Sequence, residues 1–449
     1  MEAEFGTMAS QKIGLGESVS MAVGGMVGGG IFAVLGVVAV TAGTLAWLAF
    51  VVAGIIALSA GYSFVRLGYL SENGDGPLTY IERFTGSTNL AGMVGWTFVV
   101  GYVGTMAMYA FAFGGYFVEL VGVESLAGIP ARPLVSATVV AAFVSLNALG
   151  AHASGRTEDA LVGLKILILL LFGFGGLYYG FTRGEIRSGI AAFGTGPVVA
   201  AALSFVAFEG WELLLFDRDS IRNPDETIRT AIYLSIVGVT GLYVIVAVVT
   251  TNLVSTTVIQ QNPDTALAMA AKPFLGQIGF ALISVAALFS TGSAINATLF
   301  SSSRLLDSMV SEEYLPAQLG GDDGHEPVRA LVVIGVLTVG FTVFGNLDGI
   351  SSFASLAFIV IFGGASYLAF RTRHVGATTG STIVPAIGSL GAAATVGALL
   401  WHLYTNQGSV FWTVVIIVVV VVTVELLYFE RKPIEDDLSA VESSVEDVV

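Results

Sequence analysis

The chain has 449 residues, 55% of them hydrophobic and 11% charged, with a mean hydropathy of +0.85; a soluble globular chain carries about 25% charged residues. This is the composition of a polytopic membrane protein, and it excludes soluble enzymes and disordered chains. Net charge is −15, from 33 acids against 18 bases.

Residues 1–7 read as a cloning remnant ahead of a second start at Met8, and nothing there resembles a cleavable signal. Glycine supplies 56 residues, about 12% against a usual ~7%, which suits close helix packing and broken helices in a bilayer. With no cysteine there is no disulfide, thiolate metal site or cysteine nucleophile to consider. The four histidines (His152, His325, His374, His402) are scattered, which points away from a metal cluster, and no cofactor is expected. No nucleic-acid partner is expected either; the partners are the lipid bilayer and a small-molecule substrate.

Apolar stretches long enough to cross ~30 Å of hydrocarbon fall at 15–42, 45–67, 90–121, 133–149, 160–181, 198–216, 228–253, 274–306, 330–344, 350–370, 383–404 and 410–428. The expected fold class is therefore all-α, a polytopic membrane protein with twelve transmembrane helices. If the N-terminus is cytoplasmic, the inside carries thirteen bases: Lys12, Arg66, Arg83, Arg156, Arg218, Arg222, Arg229, Arg304, Arg329, Arg371, Arg373, Arg431 and Lys432. Arg132, Arg183, Arg187 and Lys272 fall outside, so both termini are expected in the cytoplasm of a multi-pass protein of the cell membrane. The remaining base, Lys165, lies inside a span. Residues 434–449 hold six acids (Glu435, Asp436, Asp437, Glu442, Glu446, Asp447) and no base, which reads as a solvated, disordered tail.

Two spans are interrupted. The first contains five glycines in the seven residues from Gly24 to Gly30, and each costs a helix interior roughly 1 kcal/mol relative to alanine. A break at mid-membrane is the economical reading; small-residue helix packing is the alternative. The sixth span carries Phe205-Val-Ala-Phe-Glu-Gly-Trp-Glu212, two carboxylates and a glycine in an otherwise apolar helix. Polar groups at that depth are tolerated only where they are buried in protein or line a cavity. Spans one and six each open a set of five crossings, so the two sets run through the bilayer in opposite senses. Paired interrupted helices in an inverted repeat point to a midplane substrate site. The expected organisation is an N-terminal segment 1–12, a first repeat 13–181, a second repeat 182–373, two further helices in 374–430 and the tail 431–449.

These residues resemble the amino acid, polyamine and organocation permease superfamily. The resemblance covers almost the whole chain, from Ile13 to about Tyr428. It is carried by Met26-Val-Gly-Gly-Gly-Ile-Phe32, by the Phe205 to Glu212 segment, by Arg222-Asn-Pro-Asp-Glu-Thr-Ile-Arg229, and by Asn296 to Pro316 with Ser303-Arg304 and Leu315-Pro316. The fold it implies is the five-plus-five inverted repeat with broken helices 1 and 6, and the function is secondary active amino acid transport by alternating access, not enzymatic catalysis. The loop Ser71-Glu-Asn-Gly-Asp-Gly-Pro-Leu-Thr-Tyr80 matches the family pattern only loosely. Glu209 stands where many relatives carry a small or apolar residue, a departure that bears on substrate.

The chemistry follows from the two breaks. The expected substrate-binding residues are Met26, Val27, Gly28, Gly29, Gly30, Phe205, Val206, Ala207, Phe208, Glu209 and Gly210. Freed N–H groups around Gly28, Gly29 and Gly30 suit a carboxylate, and carbonyls near Ala207 and Phe208 suit an ammonium. Phe205, Phe208 and Trp211 offer aromatic walls or face neighbouring helices or lipid. Glu209 either lines the pocket and favours a cationic side chain, is protonated, or caps the half-helix restarting near Gly210. Glu212 falls in that first turn, where the dipole favours a carboxylate; its role is structural with proton involvement.

Lys165 lies about seven residues past Glu158, ~10 Å into the fifth span. A lysine there costs ~2.5–3.5 kcal/mol on insertion scales, and burial works against the charged ammonium. Some relatives carry a lysine in the corresponding helix, its ammonium standing in for a coupling sodium ion. The resemblance thus implies proton coupling through Lys165 and Glu212, without sodium. Snorkelling to the interface or a tie to Glu209 or Glu212 is the alternative for the lysine. Ser290, Thr291 and Ser293 keep sodium open. The rival functions are import or exchange of cationic amino acids or polyamines and, outside transport, an amino-acid-sensing membrane receptor; oligomeric state is not read from the sequence.

Overall fold

The computed structural model describes residues 12–71, 76–149, 155–190, 194–315, 328–375 and 380–429. The expected remnant at 1–7, the acidic tail, Arg431, Lys432, Pro316 and positions 72–75 of the loosely matching loop lie outside the described residues.

The helices run in the order α1 (Leu15–Ala42), α2 (Ala46–Leu70), α3 (Pro77–Thr85), α4 (Thr88–Val121), α5 (Ala131–Ala148), α6 (Gly155–Arg183), α7 (Gly196–Ser204), α8 (Leu213–Phe216), α9 (Pro224–Leu253), α10 (Thr256–Gln261), α11 (Ala266–Ser311), α12 (Val328–Phe344), α13 (Leu347–Arg371), α14 (Ile383–Asn406) and α15 (Gly408–Phe429). A two-residue hairpin, β1 (Ser125–Leu126) with β2 (Ile129–Pro130), joins α4 to α5. Among the described residues, nine helical stretches are long and apolar enough to cross a membrane. The first, Leu15–Leu70, turns at Gly43 and supplies two crossings; the shorter Val328–Phe344 and Gly408–Val424 complete the expected twelve. The chain is an all-α polytopic membrane protein.

The first span departs from expectation. Helix α1 is continuous from Leu15 to Ala42, and Gly24 to Gly30 are all helical. The expected break is absent because neighbouring helices use the missing side chains. A methyl on Gly30 would sit 2.6 Å from Ala207 Cα, one on Gly25 2.8 Å from Gly210 Cα, one on Gly28 2.7 Å from Ala294 Cβ, and one on Gly29 2.1 Å from the Tyr109 ring. The helix-propensity cost of each glycine is offset by this close packing, the use small residues have at membrane helix interfaces. Every residue from Met26 to Ala39 is buried, so α1 is apolar all round and sits as the central rod of the bundle. Helices α4, α6, α7, α9 and α11 pack around it. Toward the periphery, Phe344, Leu390 and Trp401 leave most of their surface exposed on α12 and α14, as lipid-facing side chains do.

The eighth span also starts differently. Helix α11 begins at Ala266, ahead of the expected 274, and bends at Gly276, where φ is +62° and ψ −152°. Pro273 lacks an N–H to continue the ladder, and glycine adopts the left-handed backbone that redirects the chain. The turn leading into α11 lies over α1 and α4: methyls on Gly36 and Gly115 would sit 1.9 Å from the Pro263 carbonyl oxygen and 2.1 Å from Asp264 Oδ2. At the opposite end of α1, Ile13 pairs with the chain after α8, its N–H donating to Ser220 O and its carbonyl accepting from Arg222 N, both at 2.9 Å.

Gly30→Ala should destabilise the protein by about 1–3 kcal/mol, because the added methyl meets backbone that cannot rotate away. Gly238→Ala on α9, where a methyl meets nothing within 4 Å, is the control, and it should leave the thermal unfolding midpoint in detergent unchanged or raise it. Equal melting of the two variants would refute the packing role of the α1 glycines.

Candidate substrate site

The sixth span breaks as its sequence suggests. Helix α7 tightens into a 3-10 turn over Phe205–Phe208, Glu209 is extended, and Gly210 takes a φ of +121° before α8 restarts at Leu213. Only glycine enters that backbone region without strain. The freed groups find side-chain partners. Ser355 of α13 donates to the Leu203 carbonyl at 3.0 Å and accepts the Val206 N–H at 3.1 Å. Glu212 Oε2 accepts the Gly210 N–H at 2.8 Å. The capping role open to Glu209 therefore belongs to Glu212. Glu209 instead turns to α4, where the Tyr109 hydroxyl donates to its Oε2 at 3.3 Å.

Around the break, α1 offers carbonyls. Lys165 Nζ donates to Gly24 O at 2.9 Å, the Tyr243 hydroxyl to Met26 O at 2.7 Å, and the Ser290 hydroxyl to Val27 O at 2.7 Å. The same Tyr243 hydroxyl reaches Ala207 O at 3.0 Å, so one side chain of α9 joins the central rod to the broken span. The expected pairing of free donors on α1 with free acceptors on span six is thus corrected. Gly28, Gly29 and Gly30 lie within an unbroken helix, and the Ala207 carbonyl takes a tyrosine hydroxyl. Lys165 is 5% exposed and points inward to α1, which does not fit snorkelling.

The other expected site residues are buried at this junction. Phe208 meets Tyr243 edge-on, Phe205 meets Phe362, and Trp211 packs on Phe64 and Phe362, so Trp211 faces neighbouring helices. Ser290 and Thr291 donate to the carbonyls of Val27 and Ala287, and Ser293 to that of Ser290. Sequence reasoning missed Tyr102, Thr105 and Tyr109, buried on one face of α4, together with Tyr243 and Ser355. A visible signal existed for the first three: hydroxyl side chains spaced three and four apart in a Gly- and Ala-rich span share a helix face. Four polar atoms of this neighbourhood are buried without a hydrogen-bond partner: Tyr102 Oη, Thr105 Oγ1, Trp211 Nε1 and Glu212 Oε1. Buried polar groups normally have partners, and unpaired ones beside a helix break fit a site that takes a polar ligand.

Tyr243→Phe would strip two buried carbonyls of a shared donor while preserving ring packing. It should destabilise the protein by about 1–3 kcal/mol, seen as a lower thermal midpoint in detergent; an unchanged midpoint would show that the rod and the broken span do not depend on this hydroxyl.

Residues 13–423 match the family described as amino acid permease. An uncharacterized protein of Methanocaldococcus jannaschii is 33% identical over 79% of this chain and 81% of its own length. The inner membrane transport protein YbaT of Escherichia coli is 30% identical over 82% and 85%. Among solved structures, a manganese transporter of Eremococcus coleocola superposes with a TM-score of 0.62 over 92% of both chains at 10% identity, a likeness of fold alone. The glycine-lined rod and the broken sixth span are accordingly those of a membrane transporter and not of an enzyme, and the chain belongs to the amino acid permease family.

Proposed function

We propose that the protein is a secondary active amino acid transporter driven by protons through Lys165, without sodium, and with both termini in the cytoplasm. Its working units are the two inverted repeats, 13–181 and 182–373, rocking about the junction of α1 with the broken span. The observation that carries this reading is the Lys165 ammonium, buried in α6 and bonded to the Gly24 carbonyl at 2.9 Å. The next residue, Gly25, packs against Gly210 in the break. Loss of the proton turns a charge-assisted hydrogen bond into a neutral one of about half the strength. The register of α1 against the break then responds to protonation, the coupling that symport requires. A cation at this carbonyl is supplied by the chain itself, which supports the sodium-free reading. The amino acid substrate follows from family membership and from the polar atoms gathered beside Glu209.

Lys165→Met should abolish uptake of labelled amino acids driven by a pH gradient into proteoliposomes, while equilibrium binding of substrate persists. Uptake in the wild type should not change when sodium is replaced by choline. Full gradient-driven uptake in the variant would overturn the coupling role, and a strict sodium requirement would transfer it to the α11 hydroxyls.

A further inference from the structure

Glu209 is the buried acid for which the transport scheme above has no use. It is 2% exposed, and its carboxyl is approached by hydroxyls and by a second carboxylate, that of Glu212. Its one side-chain hydrogen bond is accepted from the neutral Tyr109 hydroxyl, and the charge set against it is that of Glu212. Two further groups on the same face of α4 complete the picture. The Thr105 hydroxyl turns toward Glu209 without completing a hydrogen bond, and the Tyr102 hydroxyl lies in the field of both carboxylates, also without a partner. Thr105 and Tyr102 are each 0% exposed, so no bulk water satisfies them. Tyr102 also packs on Phe98 and Phe358, with ring centroids 6.0 and 5.6 Å apart.

An ionised carboxylate only accepts hydrogen bonds, and it is costly to hold at membrane depth until a positive partner arrives. Glu212 spends one oxygen on the Gly210 amide, whereas Glu209 makes a single 3.3 Å contact with a neutral hydroxyl. A carboxylate, two unpartnered hydroxyl oxygens and the aromatic ring of Tyr102 together complement a group with several N–H donors, a positive charge and an apolar stem. Guanidinium and primary ammonium groups at the end of an alkyl chain have that form.

We propose that Glu209, with Tyr102 and Thr105, forms the subsite for the side chain of the substrate, and that the substrate class is the basic amino acids. This rests on the reading of the protein as an amino acid transporter and adds the specificity that reading leaves open. Glu209 sets selectivity by charge, and Lys165 sets coupling; the two functions reside on different spans.

The test compares arginine with citrulline, its uncharged isostere, and lysine with norleucine, as labelled ligands for the full chain in proteoliposomes. The wild type should prefer the charged member of each pair by about tenfold or more, the worth of one charge-assisted contact. Glu209→Gln should bring both ratios near one while keeping the binding of the neutral members, and Glu209→Asp should retain the preference. Thr105→Val should weaken arginine more than citrulline. A purely structural role for Glu209 would lower all four affinities together and leave the ratios intact, which overturns the proposal. So does a wild type that treats the members of each pair alike, a result that needs no variant to fold. Uptake of neutral amino acids with rejection of arginine and lysine would overturn the subsite and leave transport standing, whereas a wild type that binds no amino acid would overturn both.

Discussion

Everything at the centre of this bundle depends on how closely other backbones can approach α1. A helix buried on every side, from Met26 to Ala39, has no polar face with which to fix its position. Position comes instead from steric fit at Gly25, Gly28, Gly29 and Gly30 and from side-chain donors that reach the carbonyls of Gly24, Met26 and Val27. The two effects require each other. Side chains in place of the glycines would hold the surrounding elements off the rod and carry their donors out of hydrogen-bonding range.

This interdependence explains which parts were legible in the sequence. Span number and order follow from hydropathy, because the bilayer imposes a length that chemistry cannot evade. The interruption at Glu209 and Gly210 was legible because two carboxylates in an apolar run leave few alternatives. The glycine run of α1 was not, since its composition serves a broken helix and a tightly packed one equally well. Only the neighbours decide, and they come from three separate spans: Tyr109 from α4, Ala294 from α11, and Ala207 and Gly210 from the broken sixth span. Tyr243 was hidden for a related reason: a tyrosine in a span is often an interfacial anchor, and its bridge between Met26 and Ala207 exists only in the folded arrangement. The start of α11 was misplaced because the bend depends on Gly276 together with Pro273, and hydropathy reports neither.

The two acids of the sixth span divide their work by three residues of spacing. Glu212 folds back on the Gly210 amide and stabilises the distorted backbone, so its charge is directed along the chain. Glu209, in an extended conformation, projects toward α4. Neighbouring carboxylates of like chemistry thus acquire different duties from backbone geometry alone, as in other sites where environment separates paired acids.

The short pairing between Ile13 and the chain after α8 has a mechanical consequence. It ties the start of the central rod to the end of the broken span by two peptide hydrogen bonds arranged in parallel. Separating the two segments breaks both bonds, each worth about 0.5–1.5 kcal/mol net, so the start of the rod and the chain after α8 move more readily as one piece than apart.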